Sequence, residues 1–402
     1  MKPTVGIFLD VKPESGGAFQ YSQTILDALT ELQPRGIEMR VMFTDPLWQP
    51  ILTRAGLAGT FVRTGLWGLP ATRRIAGRLP MDRWRSLCPR FHPVAKTMSR
   101  LACDLWIFPA QDTWTYLMPF PALGVVFDLM HRYERRFPEV SARGIYASRE
   151  RHYRNLCRYA GGLLVDSEVG KRHVIESYRV DCDRVFVLPF TVPAHIAPIL
   201  DTSLIGRLPP KYIFYPAQFW LHKNHLRLIE AVALLRPTLP DLNLVLVGSK
   251  KNGYEVAVKL VQRLGLTDCV HFLGYVPDAD MAQIYRRARA IIMPTFFGPT
   301  NIPPLEAMAL GCPVAVSRIY GMPEQLGDAV IYFDPSRTEE IAAALERLWI
   351  DDALCRGLAS KGRAQSARWT PENFRCRLED IVLSCCRQQA DSRESKRRSD
   401  RK

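Results

Sequence analysis

No two cysteines in the chain are spaced C-x-x-C; the ten are scattered, and Cys385 and Cys386 are simply adjacent. That pattern supplies neither a zinc ligand set nor a disulfide framework, and it points to reduced thiols in a cytoplasm. Long apolar runs are missing too. The apolar stretch after Lys2 stops at Asp10, too short for the h-region of a secretory leader, so none is expected. The uncharged stretch from Thr113 to Phe127 covers 15 residues and contains two prolines, short of a membrane-spanning helix. Acids are scarce relative to bases: 40 Asp and Glu against 54 Lys and Arg, a formal charge of +14. No recognition-module signature accompanies that charge, which argues against a nucleic-acid partner.

What remains is a soluble composition, 47% hydrophobic and 23% charged, long enough at 402 residues for two domains. Much of the excess charge lies between Ile51 and Arg100. Arg54, Arg63, Arg73, Arg74, Arg78, Arg83, Arg85, Arg90, Lys96 and Arg100 stand there against Asp82 alone, with Phe61, Leu66, Trp67 and Trp84 interleaved. Basic residues mixed with aromatics suit an anionic membrane surface or an anionic acceptor; the alternative is a merely solvated basic face. The polar, Arg-, Lys- and Ser-rich tail 389–402 is expected to be disordered.

Short apolar runs alternate with helical patterns. Buried strands are expected at Val5–Leu9, Met39–Phe43, Leu105–Phe108, Leu123–Phe127, Gly162–Asp166 and Val185–Pro189. A second series is expected at Tyr212–Pro216, Leu242–Gly248, Val270–Gly274, Ala290–Pro294, Pro313–Ser317 and Ala329–Phe333. Helical patterns fall between, as at Ala18–Leu32, Ala142–Arg158, Asn224–Leu235 and Gly253–Leu264. Such alternation means parallel sheets covered on both faces. The fold class is therefore α/β, two doubly wound domains across a cleft, with Pro193–Pro210 as linker. Domain boundaries are expected at 1–195 and 205–370, with a helix over 371–388 returning to the first domain.

Ligands in doubly wound sheets bind outside the carboxyl ends of the strands. The distinctive residues follow strand ends. Gly16 and Gly17 suit either close approach to a diphosphate or an ordinary tight turn. Asp128 and His131 follow Leu123–Phe127, and His131 is either structural or part of the site. Lys223 lies past Tyr212–Pro216 at a helix start, where the dipole disfavours a merely solvated lysine and a diphosphate would favour it. Gly248 follows Leu242–Val247.

The stretch "FFGPTNIPPLEAMALGCPVAV" carries Gly298, Pro299, Thr300, Asn301 and Ile302 into a helix started by Pro303 and Pro304. Glu306 is the one acid among Leu305, Ala307, Met308 and Ala309, so it needs a partner or a ligand; the plainer reading is a capped core helix with Glu306 at its rim. The triplets at Asp181–Asp183 and Asp278–Asp280 imitate a metal-binding motif, but they suit a surface turn and a helix cap, and no metal is expected.

Taken together, "HKNHLRLIEAVALL", "LVLVGS", "VHFLGYVPDADMAQIYRRARAIIMPT", "GPTNIPPLEAMALGCPVAVS" and "GMPEQLGDAVIYFDP" resemble, in order and spacing, the GT4-type ("group 1") glycosyltransferases, retaining enzymes of the GT-B fold. The resemblance runs over nearly the whole chain and is densest from Tyr212 to Pro335. It implies transfer of a hexose, mannose-type or similar, from a nucleotide-diphosphate sugar to an acceptor hydroxyl. The setting implied is polysaccharide, lipopolysaccharide or glycolipid assembly, on a glycan or lipid-linked acceptor, with no cofactor. It gives Lys223 the leaving diphosphate, the loop amides the donor sugar and diphosphate, Glu306 the ribose hydroxyls, and His131 a place near the sugar. It also implies a location in the cytoplasm or on the inner face of its membrane.

Two positions depart from the family. Its usual motif has two glutamates eight positions apart, and the first falls on Gly298 here. Its frequent arginine five positions before the lysine is Gln218. The alternative reading is a catalytically silent sugar-nucleotide-binding or scaffold protein of the same fold, in which Gly298 and Gln218 mark lost chemistry. A GT-B-like epimerase or phosphorylase is a third.

Overall fold

Each run of buried β-branched and aromatic residues becomes a strand covered on both faces. The computed structural model describes residues 2–12, 15–192 and 208–399. Most of the expected linker, residues 193–207, lies outside them. The first sheet contains β1 (Thr4–Leu9), β2 (Glu38–Phe43), β3 (Gly59–Phe61), β4 (Leu105–Ile107), β5 (Ala122–Val125), β6 (Gly162–Val165) and β7 (Val185–Val187) in the order β3-β2-β1-β4-β5-β6-β7. The second contains β8 (Ile213–Pro216), β9 (Leu244–Val247), β10 (Val270–Gly274), β11 (Ala290–Met293), β12 (Val314–Ser317) and β13 (Ile331–Phe333) in the order β10-β9-β8-β11-β12-β13. Every pairing is parallel, and strands such as β4, β9, β11 and β12 are buried along their whole length. Continuous burial of this kind is what helices on both faces of a parallel sheet impose.

Twelve of these thirteen strands coincide with the expected runs. The exception, β3, has only Gly-Thr-Phe and pairs at the edge of the first sheet with β2. It lies in the basic stretch, as do the helices Leu69–Ala76, Met81–Leu87 and Pro93–Leu101. That stretch is not simply a charged face. Trp84 is fully buried and donates its indole N–H to the Leu117 carbonyl at 3.0 Å. Arg85 reaches the carbonyls of Tyr116 and Met118 at 2.6 and 2.5 Å. The other basic residues named above are exposed.

The chain divides into two compact units, residues 1–127, 148–188 and 371–402 in one, 128–147 and 189–370 in the other. Segment 128–147, expected in the first domain, thus packs within the second unit, held by Met130, Phe137 and Val140 against Phe296 and Phe297. In the first unit the long helix Pro371–Ser399 buries Phe374, Leu378, Ile381, Val382 and Cys385, a helical stripe, and Phe374 meets Tyr21 edge-on. This helix continues to Ser399, so the tail read as disordered is helical that far; 400–402 lie outside the described residues.

Candidate active site

In the second sheet the chain first moves outward through β9 and β10, then returns to place β11 beside β8. The connection reverses direction between β8 and β11, the switch point where such sheets open a crevice at their carboxyl ends. The loop after β8 carries Lys223 and the loop after β11 carries Asn301. They meet: Lys223 Nζ donates to Asn301 Oδ1 at 3.4 Å.

Each residue of "HKNH" has a separate task. Leu221–Lys223 forms a single 3₁₀ turn, and Asn224 follows it in the left-handed region at φ 61°. The buried Asn224 amide donates to the Pro294 and Pro335 carbonyls at 3.0 and 2.8 Å, and the Tyr215 hydroxyl donates to the Lys223 carbonyl at 2.7 Å. His225 stacks on Phe219 with ring centroids 4.3 Å apart. Burial and then Lys223 push its imidazole down to about 3, so no second cation sits beside the lysine. Burial likewise lowers the Lys223 ammonium to about 8, with Asp128 pulling the other way. A half-buried ammonium with so little compensation is a charge waiting for an anion.

The second loop is largely buried. Pro299, Thr300, Asn301 and Ile302 are buried, while Gly298 is only half-buried. Gln325 clamps Asn301, accepting its N–H at 3.1 Å and donating to its carbonyl at 2.9 Å. Asn301 precedes the helix Ile302–Ala309 but does not cap it with its side chain, which turns to Lys223 and to Met322 Sδ instead. With prolines at 303 and 304, only Ile302 and Leu305 among the first four helical residues have an N–H to offer.

Gly298 adopts φ 135°, and a Cβ there would fall 2.8 Å from Asn301 Nδ2 and 2.9 Å from Oδ1. The glycine leaves the gap that lets Asn301 approach Lys223. Gly248 plays a comparable part after β9: a Cβ would lie 2.2 Å from the Ala217 carbonyl oxygen, so only glycine passes beside the 217–218 peptide. Gln218 accepts the Trp220 indole N–H at 2.9 Å. Gly16 and Gly17 belong to the first unit, where Gly16, at φ 62°, leads into the helix Gly17–Leu32.

Glu306 is 4% exposed, and the Tyr285 hydroxyl donates to its Oε2 at 2.5 Å. Tyr285 is itself fully buried, on the helix Asp278–Arg287. The partner that an acid in an apolar helix demands is therefore present in the protein, 21 residues upstream and invisible to local reading.

His131 is buried. It has 0% exposure, within the turn Met130–Tyr133, with its ring 5.6 Å from that of Tyr146. Asp128, three residues earlier, accepts the Met130 N–H at 2.8 Å and is the member of this turn whose charge acts on Lys223. Asp128 is marked in the sequence only by its place after a strand, and nothing local marks Gln325 or Tyr285.

A pocket of about 630 Å³ also opens at the carboxyl ends of β11, β12 and β13, lined by Glu134, Arg136, Phe296, Arg318, Tyr320 and Asp334 among others. Neither Lys223 nor Asn301 lines it. Asp181, Cys182 and Asp183 bring three exposed ligand atoms within 4.8 Å of one another, but the Asp181 carboxylate already accepts the Asp183 N–H at 3.1 Å as a turn cap. The Asp278 side chain lies outside the described residues.

Residues 205–365 match the family model described as glycosyl transferases group 1. The match covers 161 of the 402 residues, the stretch that holds β8 to β13, and that stretch is similar to the group 1 glycosyltransferases. The chain is 28% identical over 271 residues to the O-antigen chain mannosyltransferase B of Escherichia coli, covering 62% of the chain and 70% of that relative. It is 25% identical over 278 residues to the serotype-specific mannosyltransferase WbdA of Escherichia coli, covering 66% of the chain but only 33% of that longer relative. HepE of Anabaena, solved in complex with UDP and glucose, superposes with a TM-score of 0.69 at 18% identity over 95% of this chain and 100% of its own. The likeness shows the two-sheet GT-B fold for this glycosyltransferase.

Proposed function

We propose that this glycosyltransferase moves a hexosyl group, mannose-type or similar, from a nucleotide-diphosphate sugar to an acceptor hydroxyl with retention of anomeric configuration. The observation that carries the reading is the pairing of Lys223 with Asn301 at the switch point between β8 and β11. The bond from the anomeric carbon to the diphosphate oxygen breaks, a bond to the acceptor oxygen forms, and the acceptor proton leaves with the diphosphate. Lys223, the Gly298 main chain and the positive end of the helix Ile302–Ala309 meet the charge developing on the leaving group. Glu306, oriented by Tyr285, holds the ribose hydroxyls. One relative named an O-antigen chain mannosyltransferase and another named a serotype-specific mannosyltransferase support a mannose-type donor and a glycan acceptor in polysaccharide assembly.

Thermal-shift measurement with UDP, GDP, ADP and dTDP tests the reading. The nucleotide that fits should stabilise the fold by about 2.7 kcal/mol at a hundredfold excess over its dissociation constant. Stabilisation by none of the four would remove the donor role. Affinity should also depend on pH in a stated direction. Lys223 is charged below about 8 in the free protein, so binding should be level from about pH 7 to 8. Above that it should weaken by up to about tenfold per unit as the ammonium loses its proton. Affinity that holds level to pH 10 would contradict the assignment.

We also infer that the exposed part of segment 51–100 docks on an anionic membrane surface. Leu66 is 92% exposed, Phe61 is exposed too, and Arg63, Arg73, Arg74 and Arg78 stand exposed in the same segment. Among the described residues no helix is long and apolar enough to cross a membrane. Binding to anionic vesicles should exceed binding to neutral ones and fall as salt is raised. Equal partitioning into both would remove this surface from the function.

A further inference from the structure

Glu139 lies on the short helix Pro138–Ser141 of the second unit, and the reaction described above makes no use of it. Its side chain is nevertheless 5% exposed, and three donors converge on it. Oε1 accepts the main-chain N–H of His222 at 3.0 Å and lies 2.8 Å from Nδ1 of the same residue. Oε2 accepts from Asn252 Nδ2 at 3.0 Å. Asn252 in turn accepts the Leu221 N–H through its Oδ1 at 3.2 Å. The His222 carbonyl accepts the Phe296 N–H at 2.8 Å and the Thr295 hydroxyl at 3.3 Å.

These bonds fasten the turn Leu221–Lys223 on one side. Tyr215 and Asn224 fasten it on the other, through the Lys223 carbonyl and the residue that follows. The same bonds tie the turn to the loop leading into Gly298. A carboxylate is required at 139 because every neighbour is a donor; a carboxamide would set its own NH₂ against one of them. Burial by itself would raise this carboxyl, but the two His222 bonds and the Asn252 amide outweigh it and hold the group at about 2. Burial also lowers the His222 ring, against the pull of Glu139, so the neutral ring donates Nδ1–H.

We propose that Glu139 is a positioning residue for Lys223: by fastening the Leu221–Lys223 turn it aims the ammonium at the β-phosphate of the donor. The inference rests on the donor reading above. Removing the carboxylate need not detach the segment, since Phe137 packs on Phe296 with centroids 5.5 Å apart and Met130 and Val140 join the same apolar cluster.

The test compares wild type, Glu139→Gln, Lys223→Met and the double variant. Affinities are measured by calorimetry for UDP, GDP, ADP and dTDP and for the matching monophosphates. Backbone hydrogen exchange is followed at residues 220–224 without ligand. Glu139→Gln should weaken the best-binding diphosphate about tenfold, leave its monophosphate nearly unchanged, and speed exchange at 220–224. In the Lys223→Met background the same substitution should change diphosphate affinity by less than about twofold, because the two residues act as one unit. A merely structural role would weaken both nucleotides alike and persist in that background. Wild-type diphosphate affinity in Glu139→Gln, or an undiminished loss beside Lys223→Met, would overturn the proposal. Wild type binding none of the four nucleotides would overturn the donor reading and the inference with it, whereas unchanged exchange at 220–224 would overturn the fastening alone.

Discussion

Lys223→Ala should lower turnover on the order of a hundredfold, about 3 kcal/mol, without unfolding the protein. The size follows from losing one preorganised cation where charge develops on the leaving diphosphate. The charge on Lys223 destabilises the fold, unlike that of a lysine in an ordinary buried ion pair. The folded ammonium titrates near 8 and the unfolded one near 10.5, so from 8 to 10.5 the unfolded chain binds the extra proton. Stability therefore rises with pH across that window, and at pH 7 the charge costs the fold about 3 kcal/mol. Lys223→Met should then melt no lower than wild type while losing transfer. Activity should also be the same with and without EDTA, since the charge a metal would meet is assigned to Lys223, the loop amides and the helix dipole. Near-normal turnover in Lys223→Ala, with activity abolished by chelator and restored by magnesium or manganese, would reverse that assignment.

Gly298→Glu should abolish tight donor binding, even though it writes the family's usual first glutamate back into the motif. A side chain at φ 135° is strained by about 1–3 kcal/mol. Its Cβ would also occupy the space of the Asn301 carboxamide and push it away from Lys223. Together these should weaken nucleoside diphosphates by about one to two orders of magnitude. Gly298→Ala should share most of the loss, since backbone and space matter more than charge. Calorimetry with both variants checks this; binding by Gly298→Glu as tight as wild type would mean that Asn301 has not taken over the glutamate's place.

The legible part of the molecule is the part set by neighbours in sequence. Runs such as Leu244–Val247 and Ala290–Met293 announce buried parallel strands, and the glycine, proline and lysine positions after them mark the loops. The edge strand β3 was not legible, because three residues ending in an exposed Phe61 make no apolar run. Trp84 and Arg85 read as members of a basic aromatic face, yet carbonyls at 116–118 draw both inward. Within the site, Lys223 and Gly298 could be picked out from the sequence, but their partners could not. Tyr285 satisfies Glu306 from another helix, Gln325 clamps Asn301 from 24 residues away, and Glu139 reaches His222 across 83. Those pairings depend on which loops the sheet order brings together, and no local pattern encodes that. His131 also follows a strand end, and its ring lies beside that of Tyr146 with no exposed surface.

The most direct measurement is a structure of the protein with the nucleoside diphosphate that stabilises it. The β-phosphate should lie about 3 Å from Lys223 Nζ, in front of the Gly298–Asn301 backbone and the start of the helix Ile302–Ala309, with the ribose toward Glu306. A diphosphate seated away from Lys223, for example among Arg136, Arg318 and Tyr320 in the neighbouring pocket, would contradict it.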